Sequence, residues 1–232
     1  MKGDGNDMSN EILLFVETFL VFGAMLLVKK FLGKNGLIAW VPVVAILANI
    51  QVNMSVDLFG MSATLGNVLF ASSFLATDML SECYGKKDAK KAVWAGIAFM
   101  LFFLMISQVT LWFTPNAMDL ARPSLEGLFT LSFRTTAASL TMYAIANLAD
   151  VWLFHKLATK FNGKKLWLRN NISTIVCNCL ENFGFVFLAF YGIFPVSDLL
   201  SIALVTCVIE TIIAILDTPF LYIAKKQNTN EA

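Results

Sequence analysis

Seven stretches of about 20 or more mainly apolar residues follow one another along the chain, and no other feature constrains the fold as strongly. A helix needs about 20 such residues to cross the roughly 30 Å hydrocarbon layer of a bilayer. The stretches lie at about 11–32, 37–59, 62–84, 91–114, 128–154, 172–194 and 199–223. Their apolar runs are continuous and lack the ten-residue alternation of a membrane β-barrel, so helices are expected. Composition agrees: 58% of the 232 residues are hydrophobic, only 14% are charged, and the mean hydropathy is +0.71. A soluble domain carries about 25% charged residues, so an ordinary soluble enzyme and a disordered chain are excluded. A net charge of +1 leaves no electrostatic footprint for nucleic acid. The expected fold is an all-α integral membrane protein of about seven transmembrane helices. Residues 1–10 read as a polar N-terminal tail, 11–224 as a single polytopic transmembrane domain, and 225–232 as a polar cytoplasmic tail. The acidic N-terminus lacks the basic start of a signal peptide, so the first stretch is expected to stay in place.

Basic residues set the expected orientation, because they concentrate in cytoplasmic connections. Lys29, Lys30 and Lys34 fall in the first connection, and Lys86, Lys87, Lys90 and Lys91 in the third. Lys156, Lys160, Lys164, Lys165 and Arg169 fall in the fifth, and Lys225 and Lys226 in the tail. Fourteen of the 17 Lys and Arg thus occupy alternate connections, which puts the N-terminus outside and the C-terminus in the cytoplasm.

Ionisable groups inside a bilayer are costly and usually face a partner or a cavity. Here they recur at helical spacing: Asp78 with Glu82, Asn147 with Asp150, Asn178 with Glu181, Glu210 with Asp217, and Asn49 with Asn53. At a rise of 1.5 Å per residue, Asn49, Glu181 and Glu210 fall near mid-membrane. Asp78, Asp150 and Asp217 fall about 8–12 Å to the cytoplasmic side on the same rise. The basic residue clearly inside a stretch is Arg134, near the outer end of the fifth, and Arg169 stands at the inner end of the sixth. Carboxylates in such excess await protons, a cation or a ligand rich in N–H groups. A guanine-type edge, with N1–H and an exocyclic amine, fits a carboxylate, and neighbouring amides can both donate and accept. Each group also has a structural reading. A single Asn can be glue between helices, Glu82 can be solvated near the interface, and Asp217 can cap backbone freed by Pro219. Small residues in the third and fifth stretches mark them as central. Phe99, Phe102, Phe103 and Trp112 mark the fourth as lipid-facing.

Catalytic signatures are missing: there is no HExxH, GxSxG or Walker A sequence, and His155 is the single histidine. No catalytic residue, cofactor or metal is expected. Cys83, Cys177, Cys179 and Cys207 form no CxxC pair and read as reduced packing residues.

Four segments, in order, carry a family resemblance. ATDMLSECYGKKDAKKAVWAG (76–96) resembles the D-x-x-x-E-x-Y-G-K-K signature of the queuosine precursor transporters, also called the vitamin uptake transporter family. FRTTAASLTMYAIANLADVWLFHKL (133–157), KKLWLRNNISTIVCNCLEN (164–182) and AILDTPFLYIAKK (214–226) are similar to the family's R-x-x-x-A-S with D-V-x-x-F-x-K-L, W-L-R-N-x-x-S-T and D-T-P-x-x-Y elements. The resemblance implies import of a 7-deazaguanine base across the bacterial inner membrane: the nitrile or aminomethyl precursor of queuosine, or queuine. It maps the family's signature carboxyls onto Asp78, Glu82, Asp150 and Glu181, and its basic residues onto Arg134 and Arg169. The expected substrate-binding set is Asp150, Glu181, Asn147, Asn178, Asn49 and Asp78. Glu82, Glu210, Asp217, Arg134 and Arg169 are expected in gating or coupling. The partners are the small-molecule base and the lipid bilayer, with a homodimer left open. The family usually has S-Q-x-x-D in both the fifth and sixth spans. Asn147 is one methylene shorter than that Gln, which suggests a larger cavity and a bulkier base such as queuine. The alternative reading is a substrate-capture membrane subunit energised by a separate ATPase.

Overall fold

The computed structural model describes residues 9–129 and 133–231. Helices dominate: α1 (Asn10–Gln51), α2 (Asn67–Cys83), α3 (Lys86–Trp112), α4 (Arg122–Phe129), α5 (Phe133–Lys160), α6 (Leu166–Phe190) and α7 (Val196–Glu231). Five of them, α1, α3, α5, α6 and α7, are long and apolar enough to cross a membrane.

The 42 residues of α1 form two arms that break at Gly33, whose φ of 57° and ψ of −140° leave the helical region. A side chain would resist that backbone, and glycine does not. The arms fold back on each other: Gln51 Nε2 donates to Glu17 Oε1 (2.8 Å), 34 residues away in sequence. The first two expected spans are therefore these arms. Ser9 caps the first, its Oγ accepting from Ile12 N (3.4 Å).

Between α1 and α2 the chain departs from the all-α expectation. Strands β1 (Ser55–Leu58) and β2 (Met61–Thr64) pair antiparallel, with Leu58 opposite Met61. The two-residue turn Phe59–Gly60 has positive φ at both positions (53° and 75°), the pattern that matches strand twist. The second span accordingly stops at Gln51 and the third starts at Asn67. The hairpin is tied to α1 by Asn10 Nδ2 to Asp57 O (3.0 Å) and Phe59 N to Glu11 Oε1 (2.9 Å).

Helix α2 is the hub. It packs against α1, α3, α5 and α7, and every residue from Ala71 to Ser81 is buried. Its small residues, Ala71, Ser72, Ser73, Ala76 and Thr77, let those neighbours approach closely. On the outside, α3 turns Phe99, Phe102 and Trp112 outward as expected. Phe103 is only partly exposed, its ring packing edge-on to Phe129 at 6.0 Å.

Two expectations are corrected here. Lys29, placed above in a solvated connection, is fully buried with no partner for Nζ among the described residues. Cys179 and Cys207 are not reduced: a disulfide joins them between α6 and α7, and it includes neither Cys83 nor Cys177. The expected C-terminal tail continues α7 as far as Glu231. Residues 1–8 lie outside the described part of the chain.

Candidate functional site

A cavity of about 330 Å³ opens among α1, α2, α3, α5, α6 and α7. Its polar wall carries Asn49, Asn67, Glu181, Asn182 and Glu210, and its apolar wall includes Phe70, Phe185 and Phe190. Glu181 and Glu210 lie within electrostatic range of one another. Glu210 is anchored by Asn182 Nδ2, which donates to Oε2 at 2.7 Å. Asn49 spends one amide proton on its own helix, Nδ2 to Ala45 O (2.9 Å). Flat apolar rings lining the same cavity as two carboxyl groups suit a planar heterocycle that donates hydrogen bonds.

Deeper in the bundle the polarity continues. Asn178 precedes Glu181 by one turn, is 1% exposed, and finds no partner for Nδ2 or Oδ1 among the described residues. Asn147 is fully buried, donates to Tyr143 O (3.0 Å) and leaves Oδ1 unpartnered. Below them lie Asp78, Asp150 and Asp217, from α2, α5 and α7, all fully buried. Thr174 Oγ1 donates to Asp78 Oδ2 (3.2 Å), and Asn170 Nδ2 to Asp217 Oδ1 (2.7 Å). Asp217 therefore points at an α6 amide and not at the backbone around Pro219. Among the described residues, no three His, Cys, Asp or Glu side chains converge closely enough to hold a metal ion.

At the end of the bundle where α5 runs into α6, Glu82 ties three helices together. Arg169 Nη2 donates to its Oε2 (2.8 Å) and Lys225 Nζ to its Oε1 (2.6 Å). Arg169 is itself 2% exposed, with its guanidinium over the Phe154 ring. At the opposite end, Arg134 closes α6: Nε donates to Leu188 O and Nη2 to Tyr191 O, both at 2.7 Å. Carbonyls at a helix end lack partners within the helix, and a cation there satisfies them.

Of the residues expected to bind substrate, Asn49 and Glu181 line the cavity, whereas Asp78, Asn147, Asp150 and Asn178 do not. The reason is axial distance. Helix α5 meets the cavity through Ser139 and Leu140, and Asn147 and Asp150 follow seven or more residues later, about 10 Å deeper. The shorter Asn147 consequently gives the cavity no extra room. Glu210, expected in gating or coupling, lines the cavity wall. Asn67 and Asn182 were not anticipated. Asn182 was legible only through its adjacency to Glu181, because the i,i+3 rule selected Asn178.

A multi-helix membrane protein with a partly open pocket that carries two acids in its wall defines a class that takes small molecules, and comparison narrows it. Residues 64–224 match the family model described as "Putative vitamin uptake transporter". A Bacillus subtilis (strain 168) protein named "Probable queuosine precursor transporter" is 36% identical over 225 residues, covering 94% of this chain and 98% of that protein. An Escherichia coli (strain K12) protein named "Queuosine precursor transporter" is 28% identical over 173 residues, covering 72% and 75%. This chain belongs to the vitamin uptake transporter family, a family of transporters and not of enzymes. No solved structure matches it.

Proposed function

We propose that this protein is a multi-pass transporter of the bacterial inner membrane that imports a queuosine precursor, a 7-deazaguanine base. The observation that carries the reading is the cavity: Glu181 and Glu210 supply acceptors, Asn49 and Asn182 supply donors and acceptors, and Phe70 and Phe185 supply flat apolar faces. The base's N1–H and exocyclic amine pair with a carboxylate, while an amide meets the adjoining carbonyl. A volume of about 330 Å³ is at the low end of small-molecule pockets, as a bicyclic base requires. The relatives' names support the substrate class. They are named as transporters in their own right, so nothing favours a capture subunit that needs a separate ATPase.

In this reading the two arms of α1, then α2, α3, α5, α6 and α7, make seven crossings, with the N-terminus outside. The clustering of Lys and Arg on alternate connections supports that orientation. The Glu82–Arg169–Lys225 cluster closes the cytoplasmic end, and Arg134 fixes the outer end of α6.

The test uses a bacterial host that can neither make nor import the base. Expression of this chain restores queuosine in tRNA when the nitrile precursor, the aminomethyl precursor or queuine is supplied. Glu181→Gln, at equal abundance in the membrane, does not. Absence of queuosine with the wild-type chain under all three supplies contradicts the proposal.

A further inference from the structure

The Asp78–Asp150–Asp217 layer is separate from the cavity and, among the described residues, has no positive charge of its own. Asp78 and Asp150 face one another within hydrogen-bonding reach, so a bond between them needs a proton carried by one of the two. Both oxygens of Asp150 and Oδ1 of Asp78 are without a partner among the described residues. The charged neighbours acting on these acids are each other and Asp217. Arg169, the buried base on α6, is committed to Glu82. Cys177 of α6 also faces Asp78 and Asp150 and carries no positive charge in either state.

A cluster of acids alone is not a site, but here amides and hydroxyls converge on it. Asn170 is fully buried, with Nδ2 on Asp217 and Oδ1 unpartnered beside it. Asn178, one turn above Thr174 on the same face of α6, leaves both amide atoms unpartnered. Ser173 Oγ, which donates to Asn170 O (3.1 Å), lies beside Asp150, and Thr174 Oγ1 reaches Asp78. The unpartnered acceptors in this layer are all oxygens, the donors a hard cation prefers. Two facing carboxyls with neutral oxygens around them suit a single positive charge. A multivalent ion would need more anionic ligands.

We propose that Asp78 and Asp150 form a binding site for one small hard monovalent cation, a proton or a sodium ion, loaded separately from the base and coupled to its import. The position fits such a role. The pair lies between the cavity and the Glu82 cluster, and α6 contacts all three layers: the cavity through Glu181, the acids through Thr174, and Glu82 through Arg169. The coupling rests on the transporter reading, whereas the cation site itself does not.

The test is thermal unfolding of the purified full chain in detergent, without any base. Sodium chloride is titrated against choline chloride at constant ionic strength and fixed pH, and pH is then varied in choline chloride alone. A ligand that binds only the folded state at a hundredfold excess over Kd raises the midpoint by about 5–10 °C in a chain of this size. A sodium-dependent rise in wild type that is lost in Asp150→Asn identifies sodium. A rise on acidification alone, likewise lost in Asp150→Asn, identifies the proton. Thr174→Val removes a donor to Asp78 without changing charge, and it weakens the same response if the asparagine variant does not fold. No response in wild type, or an equal response in the variants, overturns the proposal. Stabilisation of wild type by a 7-deazaguanine is measured separately. Its failure counts against the transporter reading and leaves the cation result standing.

Discussion

Glu210 shows what a membrane carboxylate requires. It is 6% exposed, and Asn182 holds one of its oxygens with a 2.7 Å hydrogen bond. A hydrogen bond to a charged group contributes about 1.5–3 kcal/mol. Asn182→Ala frees Glu210 to rotate, so the KM for base uptake by reconstituted vesicles is expected to rise about tenfold. An unchanged KM would remove Asn182 from the site. At this scale the sequence was a good guide to which residues are buried and polar and a poor one to which of them meet. Helical spacing found Glu181, Asn178, Asp150 and Asn147, all of which the structure buries. The rise per residue sets Asp150 and Glu181 at different depths, and the structure keeps them apart, with Glu181 on the cavity wall and Asp150 outside it; grouping the two as one binding pair goes against those depths. Asn182 escaped because its significance lies in Glu210, on another helix.

Gly66 governs the element that organises the others. It precedes α2 with φ of 97°, and a Cβ there would meet Ala48 O of α1 at 2.9 Å. Gly66→Ala therefore forces an L-residue into a disfavoured conformation and pushes apart the second arm of α1 and the start of α2. Each such backbone conflict costs of order 1–3 kcal/mol. The unfolding midpoint in detergent is expected to fall by about 3–10 °C; a change under 1 °C would mean that the arm shifts freely. Hydropathy made most elements legible. The arms of α1 and helices α3, α5, α6 and α7 follow the apolar stretches to within several residues at most ends. It could not see β1 and β2, because the ten-residue hairpin Ser55–Thr64 mixes apolar with polar residues, and each strand is absorbed into the end of the neighbouring apolar stretch. The informative signal was Gly60, which falls in the gap between the second and third apolar stretches and takes the positive φ of the turn.

For the molecule as a whole, the Glu82 cluster is the point where α2, α6 and α7 are joined by charge. The Arg169 partner is buried and the Lys225 partner is nearly half exposed, so the two bonds differ in weight. Arg169→Ala leaves Glu82 with its buried side uncompensated, at a cost of about 3–5 kcal/mol. Lys225→Ala removes a solvent-screened contact contributing about 0–1 kcal/mol. Thermal unfolding of the two variants is expected to rank them in that order by a wide margin, and equal losses would contradict the assignment. The basic residues that suggested a cytoplasmic end also supply these two bonds, but nothing in their spacing indicated that Glu82 would receive both.

The central claim is that the carboxylate wall of the cavity recognises the donor edge of a deazaguanine. The most direct measurement is equilibrium binding of 7-cyano-7-deazaguanine to the purified protein, comparing wild type with Glu181→Gln, which keeps shape and volume but replaces an acceptor with a donor. Loss of a charged hydrogen bond of about 1.5–3 kcal/mol predicts a Kd at least tenfold weaker for the variant. Equal affinities in the two proteins would contradict the claim.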